Sequence, residues 1–258
     1  MELNWPNTIC GLCVGLLVGM TGVGGGSLMT PILVLVFGIA PATAVGTDLW
    51  FAATTKVFGG VIHQNRGRVD WPVVGRLGLG SVPAAIATLA WMHRTAMAQI
   101  TRGVMLKALG VVLILTAVSM LFAQRFQAIG RADQQRLARI QPIATVLAGA
   151  VLGILVTLTS VGAGALGTAM LRYLYPTRLK PAALVATDIV HAIPLVMIAG
   201  SGYLLMGNVN LRLLGQLLLG SIPGIVVGSL VSGYVRDGML RAAIALALVA
   251  VSGKLLWS

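Results

Sequence analysis

The chain is a succession of apolar runs, most of them about as long as a bilayer is thick, with its charges gathered in the short connections between them. The runs of the first part are Thr8 to Met20, Ser27 to Gly38, Ala42 to His63, Val73 to Met92 and Gly103 to Ala123. Those of the second part are Pro142 to Leu158, Leu166 to Tyr175, Ala182 to Met206, Leu211 to Tyr234 and Met239 to Trp257. A helix needs about 20 predominantly apolar residues to cross a hydrocarbon core about 30 Å thick. With 57% hydrophobic and 9% charged residues and a mean hydropathy of +0.95, the composition excludes a soluble globular domain. The expectation is an all-α polytopic membrane protein forming a single transmembrane domain over 1–258, with no room for a separate soluble domain. The start, Met1-Glu2-Leu3-Asn4-Trp5-Pro6, lacks the basic region and cleavage site of a secretory signal, so the first helix is expected to stay.

One run is interrupted. Thr21-Gly22-Val23-Gly24-Gly25-Gly26-Ser27 places four glycines in the middle of an apolar stretch from Thr8 to Gly38. Each glycine costs about 1 kcal/mol against alanine in a helix interior, so two short helices facing across an irregular turn are expected here. Broken helices at membrane depth are tolerated where protein or a water-filled cavity satisfies the freed backbone groups, which is why they mark binding sites. Gly26 and Ser27 would open the second half-helix, whose free N–H groups suit an anion. The competing reading is close helix packing through small residues. A nucleotide-binding loop is excluded, because no Gly-Lys-Ser/Thr follows and no strand precedes.

The interruption recurs. Val23-Gly24-Gly25-Gly26 aligns with Val161-Gly162-Ala163-Gly164, preceded by Thr21 and by Thr159 with Ser160. At a shift larger by two residues, Val45-Gly46-Thr47-Asp48 matches Val185-Ala186-Thr187-Asp188, and Gly80-Ser81-Val82-Pro83 matches Gly220-Ser221-Ile222-Pro223. Three blocks in one order define two homologous halves, 8–123 and 142–257. Between them, 124–141 carries Arg125, Arg131, Asp133, Arg136 and Arg139 and reads as a solvated linker.

The Lys/Arg distribution orients the halves. If each glycine-rich run crosses completely, Arg66, Arg68, Arg76, Arg125, Arg131, Arg136, Arg139, Arg212 and Lys254 oppose Arg94, Arg102, Arg172, Arg178, Lys180, Arg236 and Arg241, and nine against seven decides nothing. If each run dips in and returns as a hairpin, only Arg94, Arg102, Arg212 and Lys254 stay opposite the other twelve. The second count obeys the positive-inside rule. It puts both termini outside and makes the halves inverted repeats, each a glycine-broken hairpin plus about three full spans, as in many secondary transporters. Topology thus accounts for the net charge of +12, and no nucleic-acid partner is expected.

These residues resemble the sulfite exporter TauE/SafE family of membrane permeases, through Gly22-Val23-Gly24-Gly25-Gly26-Ser27 with Pro31 and then Ala44-Val45-Gly46-Thr47. The resemblance spans nearly the whole chain. It implies a permease of the bacterial inner membrane for a small sulfur-containing anion such as sulfite or an organosulfonate, working by alternating access. Here the residue after Thr47 is Asp48, with Asp188 at the matching place, where the family more often has a small or neutral polar residue.

Asp48 and Asp188 are the sharpest polar signal, being two of only six acidic residues and lying inside expected spans. An intramembrane carboxylate is a functional candidate, with proton relay a standard use; capping a half-helix near the interface is the alternative. The pair could also coordinate a cation, which makes a metal-ion or sodium-coupled carrier the competing function. Thr47 and Thr187 offer neutral donors to an oxyanion. His191, three residues after Asp188, would share its helix face and either contact it or serve as a structural histidine. Lys56 could supply charge to an anion, or carry its ammonium toward the interface. The expected substrate-binding set is therefore Thr21, Gly22, Gly24, Gly25, Gly26, Ser27, Thr47, Asp48 and Lys56 from the first half. From the second half it takes Thr159, Ser160, Gly162, Ala163, Gly164, Thr187, Asp188 and His191. No cofactor or bound metal is expected, and His63, His93 and His191 are too scattered for an enzyme's metal cluster or nucleophile and base. Protons and the lipid bilayer are the other partners, and a homo-oligomer is open to such a fold. Cys10 and Cys13 read as packing residues, Pro83 and Pro223 as hinges or merely kinks, and Trp50, Trp71, Trp91 and Trp257 as interface anchors.

Overall fold

A computed structural model describes residues 5–21, 26–63, 69–94, 98–231 and 237–257. The described residues form eleven helices: α1 (Trp5–Thr21), α2 (Gly26–Leu35), α3 (Pro41–His63), α4 (Trp71–Arg94), α5 (Ala98–Leu121), α6 (Ala123–Ala132), α7 (Gln134–Thr159), α8 (Ala165–Leu174), α9 (Pro181–Leu205), α10 (Leu211–Val231) and α11 (Asp237–Trp257). Among them, five helices are long and apolar enough to cross a membrane, namely α4, α9, α10 and most of α5 and α7. The large apolar side chains of α5 at Val104, Val111, Ile114, Leu115 and Val118 are exposed, as a lipid-facing surface requires.

The two halves are built into each other. α1 packs on α10 and α7 on α4, while α3 meets α9 and α5 meets α11. Each of the first two pairs joins the opening helix of one half to the fourth helix of the other, and both use the same device. A Cβ on Gly11 or Gly15 of α1 would lie 2.1 Å from the Leu217 carbonyl oxygen or 2.4 Å from that of Ser221. A Cβ on Gly149 or Gly153 of α7 would lie 2.2 Å from the Leu77 carbonyl oxygen or 2.4 Å from that of Ser81. Backbones approach this closely only where side chains are missing, which is how small residues join helices in lipid.

Two capping ties are exchanged in the same manner. Asp70 caps α4, its carboxylate accepting from the Val73 amide, and Asn210 caps α10 by accepting from the Leu213 amide. The Asp70 amide donates to Thr187 Oγ1 at 3.1 Å, and the Asn210 amide donates to Thr47 Oγ1 at 3.0 Å. Each half thereby fastens the start of a span in the other.

The second glycine-broken run turns back on itself. The Gln141 amide near the start of α7 donates to the carbonyl of Leu174 at the end of α8, and Tyr175 and Thr145 share a hydrogen bond of 2.8 Å between their hydroxyls. α8 therefore returns to the end of the molecule from which α7 set out. At that end Asp70 and Arg178 form a bidentate ion pair (2.7 and 2.9 Å), Arg76 donates to the Tyr175 hydroxyl, and Gln127 donates to the Pro176 carbonyl. Asp70 before α4, Gln127 of α6 and the residues between α8 and α9 are thus together.

Three expectations change. The stretch 124–141 is helical: α6 packs on α8, with a Cβ on Gly130 lying 2.3 Å from the Tyr173 carbonyl oxygen, and α7 starts at Gln134 and runs through Pro142. Trp50 is no interface anchor, since it lies in the middle of α3 with its indole N–H beside Gly200 of α9, whereas Trp71 and Trp91 are exposed at the two ends of α4. Cys10 packs against the core cluster of Val14, Met29 and Leu217, but Cys13 is exposed, so the packing role holds for Cys10 alone.

Candidate functional site

The turn between α7 and α8 is the part of either break that can be followed residue by residue. Ser160 takes a left-handed conformation (φ 59°), and Gly162 and Gly164 follow at φ 119° and 139°. Only glycine adopts the latter two without strain, so the sequence ends α7 here because its residues permit the reversal. Thr159 closes the turn, its hydroxyl donating to the Leu155 carbonyl and accepting from the Val161 amide. α8 restarts at Ala165, with the Gly167 and Thr168 amides donating to the Gly162 and Gly164 carbonyls. Of the first break, Gly22, Gly24 and Gly25 lie outside the described residues. Thr21, Gly26 and Ser27 are helical, with their side chains likewise outside the description.

Charged groups from both halves converge on this turn. Lys56 of α3 is buried and its ammonium donates to the Ala163 carbonyl at 3.1 Å. That contact overturns the snorkelling alternative, because the side chain runs inward to the second half's break. Asp48, also on α3 and fully buried, accepts from the Thr30 hydroxyl of α2, with the Ser160 side chain nearby. Asp188 on α9 is buried, and its Oδ1 fills the space that a Cβ on Gly167 would occupy, 2.0 Å away. Lys56 and Asp188 attract each other, although the Asp70–Arg178 pair is the direct ion pair among the described residues.

His191 is buried one turn beyond Asp188. Its Nε2 shares a hydrogen bond of 2.8 Å with Ser81 Oγ of α4, so its partner is the serine rather than the aspartate. Among the described residues Asp48 Oδ1, Asp188 Oδ1, His191 Nδ1 and Ser160 Oγ are buried without a hydrogen bond. Each is an exception, since buried polar atoms are overwhelmingly paired. Thr47 and Thr187 are engaged elsewhere: their oxygens hold the caps of α10 and α4. Pro83 and Pro223 sit inside α4 and α10, two residues after Ser81 and Ser221.

Reading the sequence missed Thr30, Ser81 as a partner for His191, and the pairing of Lys56 with Ala163, both of which stand in the expected set. Thr30 had a signal available, because it aligns with Thr168 at the shift that aligns the two breaks.

Spanning helices, an interior turn and buried charges drawn from both halves are the build of a polytopic membrane transporter. The comparisons identify that class and narrow it. Residues 8–255 match the family described as Sulfite exporter TauE/SafE, and the chain belongs to it. It is 39% identical over 249 residues to the probable membrane transporter protein YjnA of Bacillus subtilis (strain 168), covering 95% of this chain and 96% of that one. The probable membrane transporter protein YdhB of the same organism is 26% identical over 249 residues, covering 94% and 96% of the two chains. A third, YunE, is 41% identical over 58 residues, which is 22% of this chain and 21% of that protein. No solved structure matches. The chain is a multi-pass membrane transporter.

Proposed function

We propose that the transporter is a secondary permease for a small sulfur-containing oxyanion, sulfite or an organosulfonate, which it binds at the α7–α8 turn and moves by alternating access with proton coupling. The observation that carries this reading is Lys56, a buried cation brought from the first half onto the break of the second. An oxyanion arriving at the turn meets an ammonium inside the protein, and the negative charge it brings is what the coupled proton balances. The ten residues of α8 rise about 15 Å, half of a hydrocarbon core about 30 Å thick, a length that suits a turn near the middle of the bilayer. A site there, shared between two halves whose contacts are exchanged, suits a rocking motion of one half against the other.

The halves are inverted repeats in this proposal. The Arg-rich end, holding 69–76, 123–141 and 172–180, faces the cytoplasm by the positive-inside rule. α1 starts at the other end, where Asn7 donates to Gln216 near the start of α10, and both termini face the periplasm across the inner membrane. The competing cation carrier would need converging ligands, and among the described residues no three His, Cys, Asp or Glu side chains gather. The test is flux of radiolabelled sulfite or a sulfonate into proteoliposomes, set against flux of a divalent cation. Anion flux that Lys56→Gln lowers at least tenfold is the expected result; cation flux without anion flux would overturn the reading.

A further inference from the structure

The two halves agree at their buried carboxyls and differ in what surrounds them. Between α3 and α9 the correspondence Asp48 to Asp188 continues to Phe51 against His191 and to Lys56 against Val196, and all of these residues are buried. One half supplies the lysine and the other the histidine, and in each case the counterpart is apolar. The supports differ as well. Thr30 donates to Asp48, but Thr168, which occupies the same place in α8, donates to the Ala165 carbonyl of its own helix. The aspartate it would otherwise serve lies against Gly167, where no side chain intervenes.

We infer that the repeat-equivalent carboxyls have separate jobs: Asp188, with Lys56 as its resident counter-charge, takes up the coupled proton, and Asp48 is a fixed acceptor that docks α2 on α3. The inference rests on the oxyanion reading above. The charge arithmetic is simple. Lys56 and ionised Asp188 are together neutral, and an anion that engages Lys56 leaves one uncompensated negative charge in a buried site. Protonation of Asp188 restores neutrality: one O–H bond forms on the carboxylate, the proton comes from the side to which the site is open, and it leaves with the anion on the other. Anion and proton then bind reciprocally, each raising the affinity for the other.

Among the described residues, the charged or titratable groups around Asp188 are Lys56 from α3 and His191 from α9 itself. α8 presents Gly167 there, with Leu152 of α7 behind it. α4 presents Ser81 to His191 and turns Arg76 onto Tyr175, while Arg178 is held by Asp70. Asp48 instead has the neutral hydroxyls of Thr30 and Ser160 about it, with no charged group among those acting on it.

The test compares Asp188→Asn with Asp48→Asn in two measurements. In detergent, sulfite or a sulfonate is added to weakly buffered protein carrying a pH indicator. Wild type and Asp48→Asn should take up one proton per anion bound, and Asp188→Asn none. In proteoliposomes, with one proton moved per anion, an imposed gradient of one pH unit should change steady-state accumulation about tenfold in wild type and in Asp48→Asn, whatever their absolute rates. In Asp188→Asn it should change nothing. Proton uptake that persists in Asp188→Asn, or that disappears in Asp48→Asn alone, overturns the division of roles while leaving the oxyanion permease standing. Wild type that neither binds nor moves any of the anions overturns both.

Discussion

Alanine at Gly153 and alanine at Gly15 impose one strain at two symmetric places, only one of which adjoins the site. Each new Cβ would lie 2.4 Å from a carbonyl oxygen, that of Ser81 for Gly153 and that of Ser221 for Gly15. Ordinary contact begins near 3.4 Å, so each helix pair must part by about 1 Å, an overpacking that costs about 1–3 kcal/mol. Ser81 moved by that much takes its 2.8 Å hydrogen bond with His191 beyond hydrogen-bonding reach, a further loss of about 1 kcal/mol. Ser221 has no such bond to lose among the described residues, and the residue of α3 that matches His191 is Phe51. Thermal unfolding in detergent, followed by size-exclusion fluorescence, should show both variants destabilised, with Gly153→Ala the worse. Sulfite flux per folded molecule should fall severalfold in Gly153→Ala and hold in Gly15→Ala. Equal flux per folded molecule in the two would show that the Ser81–His191 contact has no part in transport, and unchanged melting in both would show that the helix crossings are looser than the glycines indicate.

Thr30→Val should lower stability by about 1–3 kcal/mol, since it leaves the buried Asp48 carboxyl short of its donor; Thr168→Val removes only a bond within one helix and should cost a fraction of that in the same melting assay. Asp70→Asn keeps the cap of α4 and loses the ion pair with the half-exposed Arg178, a change of no more than about 1 kcal/mol. Asp70→Ala loses the cap too and should cost about 1 kcal/mol more, so equal melting of the two would refute the capping role. A reporter fused after Ser258 should be active only as a periplasmic fusion; a cytoplasmic signal would sink the hairpin count and the inverted repeat with it.

Helix positions were legible because lipid imposes one demand, a run of apolar residues, and the runs beginning at Ala42, Val73, Ala182 and Leu211 start within two residues of α3, α4, α9 and α10. The second break was legible for a local reason as well: Gly162 and Gly164 are needed where they stand. The same logic misled at 124–141, because α6 lies outside the apolar spans and a polar, Arg-rich helix shows none of their signature. Lys56 was ambiguous by nature. Its contact is 107 residues away in sequence, and nothing near Lys56 records it. Thr47 and Thr187 drew attention for sitting beside the aspartates, yet adjacent positions on a helix point about 100° apart, and the threonines hold the caps of α10 and α4. The spacing Gly11-xxx-Gly15-xxx-Gly19 against Gly220-xxx-Gly224-xxx-Gly228 was a readable sign of the α1–α10 crossing.

The exchange of opening helices sets a timetable for synthesis. α1 begins at Trp5 and the helix that covers its glycine face begins at Leu211, so at about 5–20 residues per second the first helix waits roughly 10 to 40 s for its partner. α7 waits for nothing, since α4 is already in the membrane when Gln134 is added. The second half is thus assembled onto a waiting surface, and the first half is completed last. Throughout that interval α1 offers an uncovered stripe of glycine to any other helix in the bilayer, and the newborn chain is then most open to a wrong neighbour or to another copy of itself.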